Sequence, residues 1–164
     1  MRRAVLRGVT CSTVTDMSDS PLEIRPVRLD DAEAAARLTG ELGYPIDADG
    51  MRRRLEPLLQ LADHVVFVAV RGGDVLGWIH AAVVMHLQSE PRVEIGGLVV
   101  TETARGQRVG AQLVSRTEQW ARQRGFAAIL VRSQIKREDA HRFYLREGYE
   151  RTKTSAVFTK ALTD

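Results

Sequence analysis

From Leu22 onward the chain shows two hydrophobic periods. Leu22-Glu23-Ile24-Arg25-Pro26-Val27 alternates apolar and polar, which predicts a short strand, and Pro26 assigns it to an edge or an end. Asp30-Asp31-Ala32-Glu33 places acids where a helix begins. That helix turns Ala34, Ala35, Leu38 and Leu42 inward and stops near residues 40–43. Tyr44-Pro45 then connects to a second helix, opened by Asp47 or Asp49 and running through Arg53, Leu55, Leu58 and Leu59.

The period then changes. Residues 64–70 predict a buried strand, Arg71-Gly72-Gly73-Asp74 a hairpin turn, and residues 75–87 the returning strand. A loop over residues 88–91 leads to a third long strand, 92–100. Gly96-Gly97 interrupts it, as at a bulge or a close backbone approach. A glycine-containing loop opens a helix to Arg124, stopped by Gly125. Residues 127–133 are almost wholly apolar, as a central parallel strand would be. A helix over 138–147 ends at Gly148, and residues 149–162 read as one bent strand or two short ones. The order β-α-α-β-β-β-α-β-α-β predicts an α/β fold with a mixed, mainly antiparallel sheet and flanking helices.

Residues 1–20 lack either period and read as a flexible tail, with residues 21–164 as a single domain and Met17 as an alternative start. The tail contains no apolar core of a secretory signal. No apolar run approaches the roughly 20 residues that cross a bilayer, so no membrane partner is expected.

The 164 residues are 44% hydrophobic and 27% charged, ordinary for a globular chain. The net charge of +3 and the pI near 9.4 raise the question of nucleic acid. Arg2, Arg3 and Arg7 are, however, the only charged residues in the first fifteen, and beyond those fifteen 21 basic residues are balanced by 21 acidic ones. The body is neutral, which argues against a phosphate-tracking surface. Cys11 is the one cysteine, so no internal disulfide and no cysteine-based zinc site can form. The expected compartment is cytoplasmic. His64, His80 and His86 are strand histidines without ligand spacing, and no metal is expected.

The chemistry concentrates in Leu98-Val99-Val100-Thr101-Glu102-Thr103-Ala104-Arg105-Gly106-Gln107-Arg108-Val109-Gly110-Ala111. A strand end, a glycine-containing loop and a helix start aim unpaired N–H groups and the helix dipole at one point, a site for phosphate or pyrophosphate. Gly-Lys-Ser/Thr and Gly-x-Gly-x-x-Gly are both absent, which excludes a P-loop and a dinucleotide fingerprint.

This stretch resembles the acyl-CoA signature of the GNAT superfamily of N-acetyltransferases, Gln/Arg-x-x-Gly-x-Gly/Ala. Arg105 matches its first position and Gly110 its last, while Arg108 stands where the middle glycine usually lies. Ala140-His141-Arg142-Phe143-Tyr144-Leu145-Arg146-Glu147-Gly148-Tyr149 resembles the superfamily's late motif, Ala-x-x-Phe-Tyr-x-x-x-Gly-Phe/Tyr, with Tyr144 34 residues beyond Gly110. The resemblance spans residues 22–162, and the chain's end is also similar to the aminoglycoside- and histone-type members.

The resemblance implies direct transfer of acetyl from acetyl-CoA to a primary amine of a small molecule or peptide. Leu98, Val99 and Val100 would pair with the pantetheine amides as an added strand. Arg105, Gly106, Gln107, Arg108, Val109, Gly110 and Ala111 would take the pyrophosphate, and Arg108 could pair with a phosphate. An alkyl amine of pKa about 10.4 is only about one part in a thousand neutral at pH 7.4, so a base is wanted. Glu94, just before the glycine pair, is the candidate, with Glu90 and Glu41 behind it. Tyr144 is the candidate acid for the departing thiolate and a contact of the cofactor. Glu41, Tyr44, Asp47 and Asp49 lie where the acceptor side is usually walled; they suit a cationic amine, or simply decorate a helix start. Lys136 and Arg137 are candidates for the adenosine 3′-phosphate. A homodimer follows by analogy. The rival readings are a regulatory module that binds acyl-CoA without turnover and a nucleic-acid binder using the Arg-rich tail.

Overall fold

The computed structural model describes residues 20–162; the tail reading falls almost wholly outside them. Five strands form one sheet in the order β1-β2-β3-β4-β5. They are β1 (Glu23–Pro26), β2 (His64–Arg71), β3 (Asp74–His86), β4 (Ser89–Val100) and β5 (Ile129–Val131). β1 to β4 pair antiparallel and β5 joins β4 in parallel. The mixed, mainly antiparallel sheet is therefore borne out, with β1 and its Pro26 at the edge.

Both faces of the sheet are covered. Helices α1 (Ala32–Glu41) and α2 (Ala48–Leu58) cover one, where Ala35, Leu38, Met51 and Leu55 meet Val68, Val70 and Val99. Helix α3 (Val109–Gln123) covers the other, where Leu113, Val114 and Ala121 meet Phe67, Ala69, Ile79, Val93 and Ile95. Burial on both faces explains why β2 reads as an unbroken apolar run rather than an alternation. Helix α4 (Glu138–Arg146) follows β5.

The helix starts obey their local chemistry. Asp47 caps α2 by accepting the Gly50 N–H at 2.6 Å. Asp31, placed by sequence in a first turn, lies just before α1 behind a 3-10 turn at Leu29–Asp31. Its carboxylate takes two hydrogen bonds from Arg25, at 2.7 and 2.8 Å, and one from the Arg28 N–H. This ties β1 to the start of α1.

Three expectations are corrected. β4 begins at Ser89 rather than 92, because His86 pairs with Ser89 across a tight turn. Pro91, which has no N–H, falls in the register irregularity between that pair and Val84–Arg92. β5 spans Ile129–Val131 rather than 127–133, since β4 offers it only Val93, Glu94 and Ile95. No strand forms after Tyr149: residues 150–162 have no regular structure and are exposed. A strand needs a ladder partner, and among the described residues none is supplied.

Candidate functional site

The glycine pair does what its position suggested. Gly97 pairs with His80 while Ile95 pairs with Ala81, so Gly96 is the extra residue of a bulge in β4. The β4–β5 ladder ends one residue earlier, at Ile95 and Val131. Beyond it the strands part, and Leu98, Val99 and Val100 pair with β3 on one side only. The opening is a cleft of ≈ 130 Å³ lined by residues from the α1–α2 connection, β4, the β5–α4 segment and α4. Tyr44, Gly96, Leu98, Arg132, Arg137 and Tyr144 all face it.

The loop after β4 is pinned at both ends. Thr101 is buried, and its hydroxyl donates to Glu41 at 3.2 Å. The Glu102 N–H reaches the same carboxylate at 3.3 Å. At the other end Val109 is buried in the α3 core. Between them Arg71 donates to Gln107 Oε1 at 2.6 Å, and Gln107 donates back to the Thr103 carbonyl at 3.0 Å. The N–H groups of Gly106, Arg108, Val109, Gly110 and Ala111 find no acceptor among the described residues. Unpaired amides at the start of a four-turn helix suit an anion.

Arg108 explains its own departure from the signature. Its φ of 61° and ψ of 13° lie in the left-handed region, the only such non-glycine residue among those described. A glycine would adopt this turn freely; an arginine holds it under strain of about 1–2 kcal/mol. Glycine at the middle of the signature is thus a backbone requirement, and this chain meets it with a strained arginine.

The loop and the late motif touch. A Cβ built on Gly110 would lie 3.3 Å from the Phe143 ring. Phe143 and Tyr144 sit edge to face at 5.1 Å, and Tyr144 and Tyr149 at 5.4 Å. Burial alone pushes the Tyr144 phenol up to about 12, so it carries its proton throughout the physiological range. Tyr149 is also raised, by burial and then by Glu118, to which its hydroxyl donates at 3.3 Å.

Glu94 does not stand free. Arg132 Nε donates to one of its oxygens at 2.8 Å and Arg132 Nη2 to the other at 3.5 Å. Of the acids proposed for the acceptor wall, Glu41 is held by Arg37 and Thr101 and Asp47 is a helix cap. Tyr44 alone of that group lines the cleft. Arg137 binds the Leu42 carbonyl at 2.8 Å and so joins the β5–α4 segment to the end of α1. His141 contacts the Gln134 carbonyl at 3.1 Å, a local tie. Arg137, a candidate for the adenosine 3′-phosphate, lies instead in the cleft wall, and Arg132 beside it was not singled out from the sequence. The only signal for this basic lining was the density of cations after β5, which does not say where they point.

The acetyltransferase (GNAT) family profile matches residues 31–149. The chain is 41% identical over 127 residues to an aminoalkylphosphonate N-acetyltransferase of Salmonella typhimurium strain LT2, covering 76% of this chain and 78% of that one. Among solved structures, an aminoglycoside N-acetyltransferase crystallised in complex with CoA superposes with a TM-score of 0.78 at 21% identity, over 87% of this chain and 97% of the other. An aminoglycoside 6′-N-acetyltransferase of Acinetobacter baumannii superposes with a TM-score of 0.76 at 18% identity, over 87% and 100%. These two likenesses speak to the fold. The unpaired amides at the α3 start, the parted β4 edge and the adjoining tyrosine fit an acyl-CoA donor. The chain belongs to the GNAT acetyltransferase family and is an acyl-CoA-dependent N-acetyltransferase.

Proposed function

We propose that the chain acetylates the primary amine of a small acceptor bearing an anionic group, with an aminoalkylphosphonate as the fitting class and acetyl-CoA as donor. The observation that carries this is the pair of guanidinium groups, Arg132 and Arg137, in the wall of the cleft that holds Tyr144. Two arginines suit a phosphonate, whose oxygens accept bidentate hydrogen bonds. The name of the Salmonella relative agrees with it.

The donor supplies an activated acetyl carbon. The unpaired amides of Gly106 and of residues 108–111 hold its pyrophosphate, and the Arg105 and Arg108 side chains pair with phosphate oxygens. The free edge at Leu98, Val99 and Val100 orients the pantetheine by backbone hydrogen bonds. Tyr144 delivers a proton to the departing sulfur. Glu94, bound by Arg132, serves by aiming that guanidinium at the acceptor rather than as the base. The lone cysteine supports a reducing, cytoplasmic setting. The exposed Val157 and Phe158 offer a surface for a homodimer, which sedimentation velocity tests.

Thiol release from acetyl-CoA should be fastest with aminomethylphosphonate and slower with ethylamine or an aminoglycoside. Arg132→Ala and Arg137→Ala should each raise KM for the phosphonate about tenfold or more and leave KM for ethylamine within twofold. Equal losses with both amines would defeat the anionic-acceptor reading.

A further inference from the structure

One cluster of titratable side chains lies behind the cleft wall at Gly96 and has no role so far. His64 on β2 and His80 on β3 lie edge to edge, with ring centroids 5.3 Å apart and planes 12° from parallel. His64 Nδ1 lies 3.0 Å from His80 Nε2. Two neutral imidazoles at this distance share a hydrogen, one ring donating and the other accepting. At the outer end, His64 Nε2 lies 3.9 Å from Asp63 Oδ1, on a side chain 59% exposed. At the inner end, a Cβ built on Gly96 would lie 3.1 Å from His80 Nδ1. Gly96 is the bulge residue, is exposed, and lines the cleft with Tyr144. A side chain at position 96 would cover that nitrogen; glycine leaves it bare.

We propose that His80 takes the proton from the acceptor amine and that His64 and Asp63 carry it to solvent. The proposal rests on amine acetylation itself and not on which amine is used. The balance of the reaction calls for such a path. An ammonium acceptor loses one proton, and its neutral nitrogen then bonds to the thioester carbon. The C–S bond breaks, and the nitrogen's second proton is balanced by the one that ends on sulfur. The first proton must leave the site. His80 receives it at Nδ1 and passes its Nε2 proton to His64 Nδ1. His64 in turn releases its Nε2 proton to Asp63 or water. The rings then stand in the opposite tautomers and reset by exchange with water between turnovers.

The surroundings favour this base over the carboxylate on β4. Burial, and then the like charge of His64, hold the His80 imidazole below its ordinary value, so at neutral pH it is an unprotonated acceptor. The neighbouring strands also carry Arg71 on β2 and Glu90 and Arg92 on β4, but by register the titratable groups nearest His80 are His64, with Asp63 before it, and Glu94 on β4. Glu94 faces Ala82 across the ladder, two residues from His80, but both its oxygens are engaged by Arg132.

The test compares His80→Gln, His64→Phe and Glu94→Gln in the full chain. Rates are measured from pH 5 to pH 9 with both aminomethylphosphonate and ethylamine. His80→Gln should cost about a hundredfold in kcat/KM for either amine at pH 7. Its remaining rate should climb about tenfold per pH unit as free amine accumulates, and its Kd for acetyl-CoA should stay within twofold of the parent. His64→Phe keeps an aromatic ring beside His80 without the relay and should cost about tenfold. Imidazole in the buffer should restore part of the rate of His80→Gly but not of Glu94→Gln. A His80→Gln rate within threefold of the parent, or a steeper loss in Glu94→Gln, overturns the proposal. Should the variants unfold, nitrogen-15 imidazole spectra of the unaltered protein decide. The proposal requires His80 protonated at Nε2 and bare at Nδ1, and the reverse tautomer overturns it. Turnover of ethylamine but not of the phosphonate would remove the anionic-acceptor reading and leave this one standing.

Discussion

Tyr144→Phe removes one oxygen from a side chain that lines the cleft, and the structure states what should and should not follow. The ring remains, with its edge contacts to Phe143 at 5.1 Å and Tyr149 at 5.4 Å. No hydrogen bond or charge contributes to the raised phenol, only burial, so the lost hydroxyl strands no partner and should cost about 1 kcal/mol or less of stability at neutral pH. The chemistry is more exposed. A free thiol titrates near 8.5, against about 12 for this phenol. Transfer to a water-exposed thiolate would run uphill by about 5 kcal/mol. The donor therefore works only if the same dry pocket raises the thiol alongside the phenol, which the shared cleft allows. The expected result is a fall of about a hundredfold or more in kcat, roughly 2.7 kcal/mol of barrier, with Kd for acetyl-CoA within twofold. The solvent deuterium effect on kcat should shrink with it. The folded protein should also gain at high pH. A phenol raised in the folded state contributes fully below its ordinary value of 10 and loses that contribution as pH climbs to about 12. The loss, about 2–3 kcal/mol, should vanish in the variant. Pre-steady-state thiol release and urea unfolding at pH 8 and pH 11.5 measure both. A kcat within threefold of the parent would refute the donor assignment.

Further outcomes follow from the backbone and the core. Arg108→Gly should unfold later in urea than Arg108→Ala by about 1 kcal/mol, because only glycine relieves the left-handed turn; equal midpoints would deny the strain. Gly97→Ala puts a methyl 2.9 Å from the Trp78 ring and should cost about 1–3 kcal/mol, with a shift in tryptophan emission as the check. Asp31→Asn unbalances the half-buried Arg25 and should cost about 3 kcal/mol in thermal unfolding. Burial works to raise Asp31, but the Arg25 and Arg28 hydrogen bonds win and hold it below its ordinary 3.8. Its stabilisation is thus present above that value and lost as pH falls, a dependence the Asn variant should lack.

Much of the fold was legible because it rests on local rules. The cap at Asp47 and the stop at Gly125 depend on neighbours a few residues away, and the bulge at Gly96 is marked by paired glycines inside a strand pattern. The positions that failed depend on distant partners. The length of β5 is set by where β4 swings off at the bulge, not by the apolar run from 127 to 133. The start of β4 depends on a turn that accommodates Pro91. The end of the chain carries a strand-like pattern that finds no neighbour in a single copy.

The two motifs proposed to hold the donor were legible as candidates because unpaired amides, glycine and a helix start lie next to one another in the chain. A phosphate site of that kind is built from consecutive backbone, and its chemistry is written in consecutive residues. The character of the cleft was not readable in this way. Glu94 became half of an ion pair because Arg132 folds against it from the far side of β5. The acids that looked like a cationic-amine wall turned out to cap and brace, while two arginines took the wall. His64 and His80 had no ligand spacing along the chain, yet antiparallel pairing of β2 with β3 sets a nitrogen of one ring 3.0 Å from a nitrogen of the other. Charges and imidazoles act over a few ångströms of space whatever their separation in sequence. Folding alone decided which of them meet.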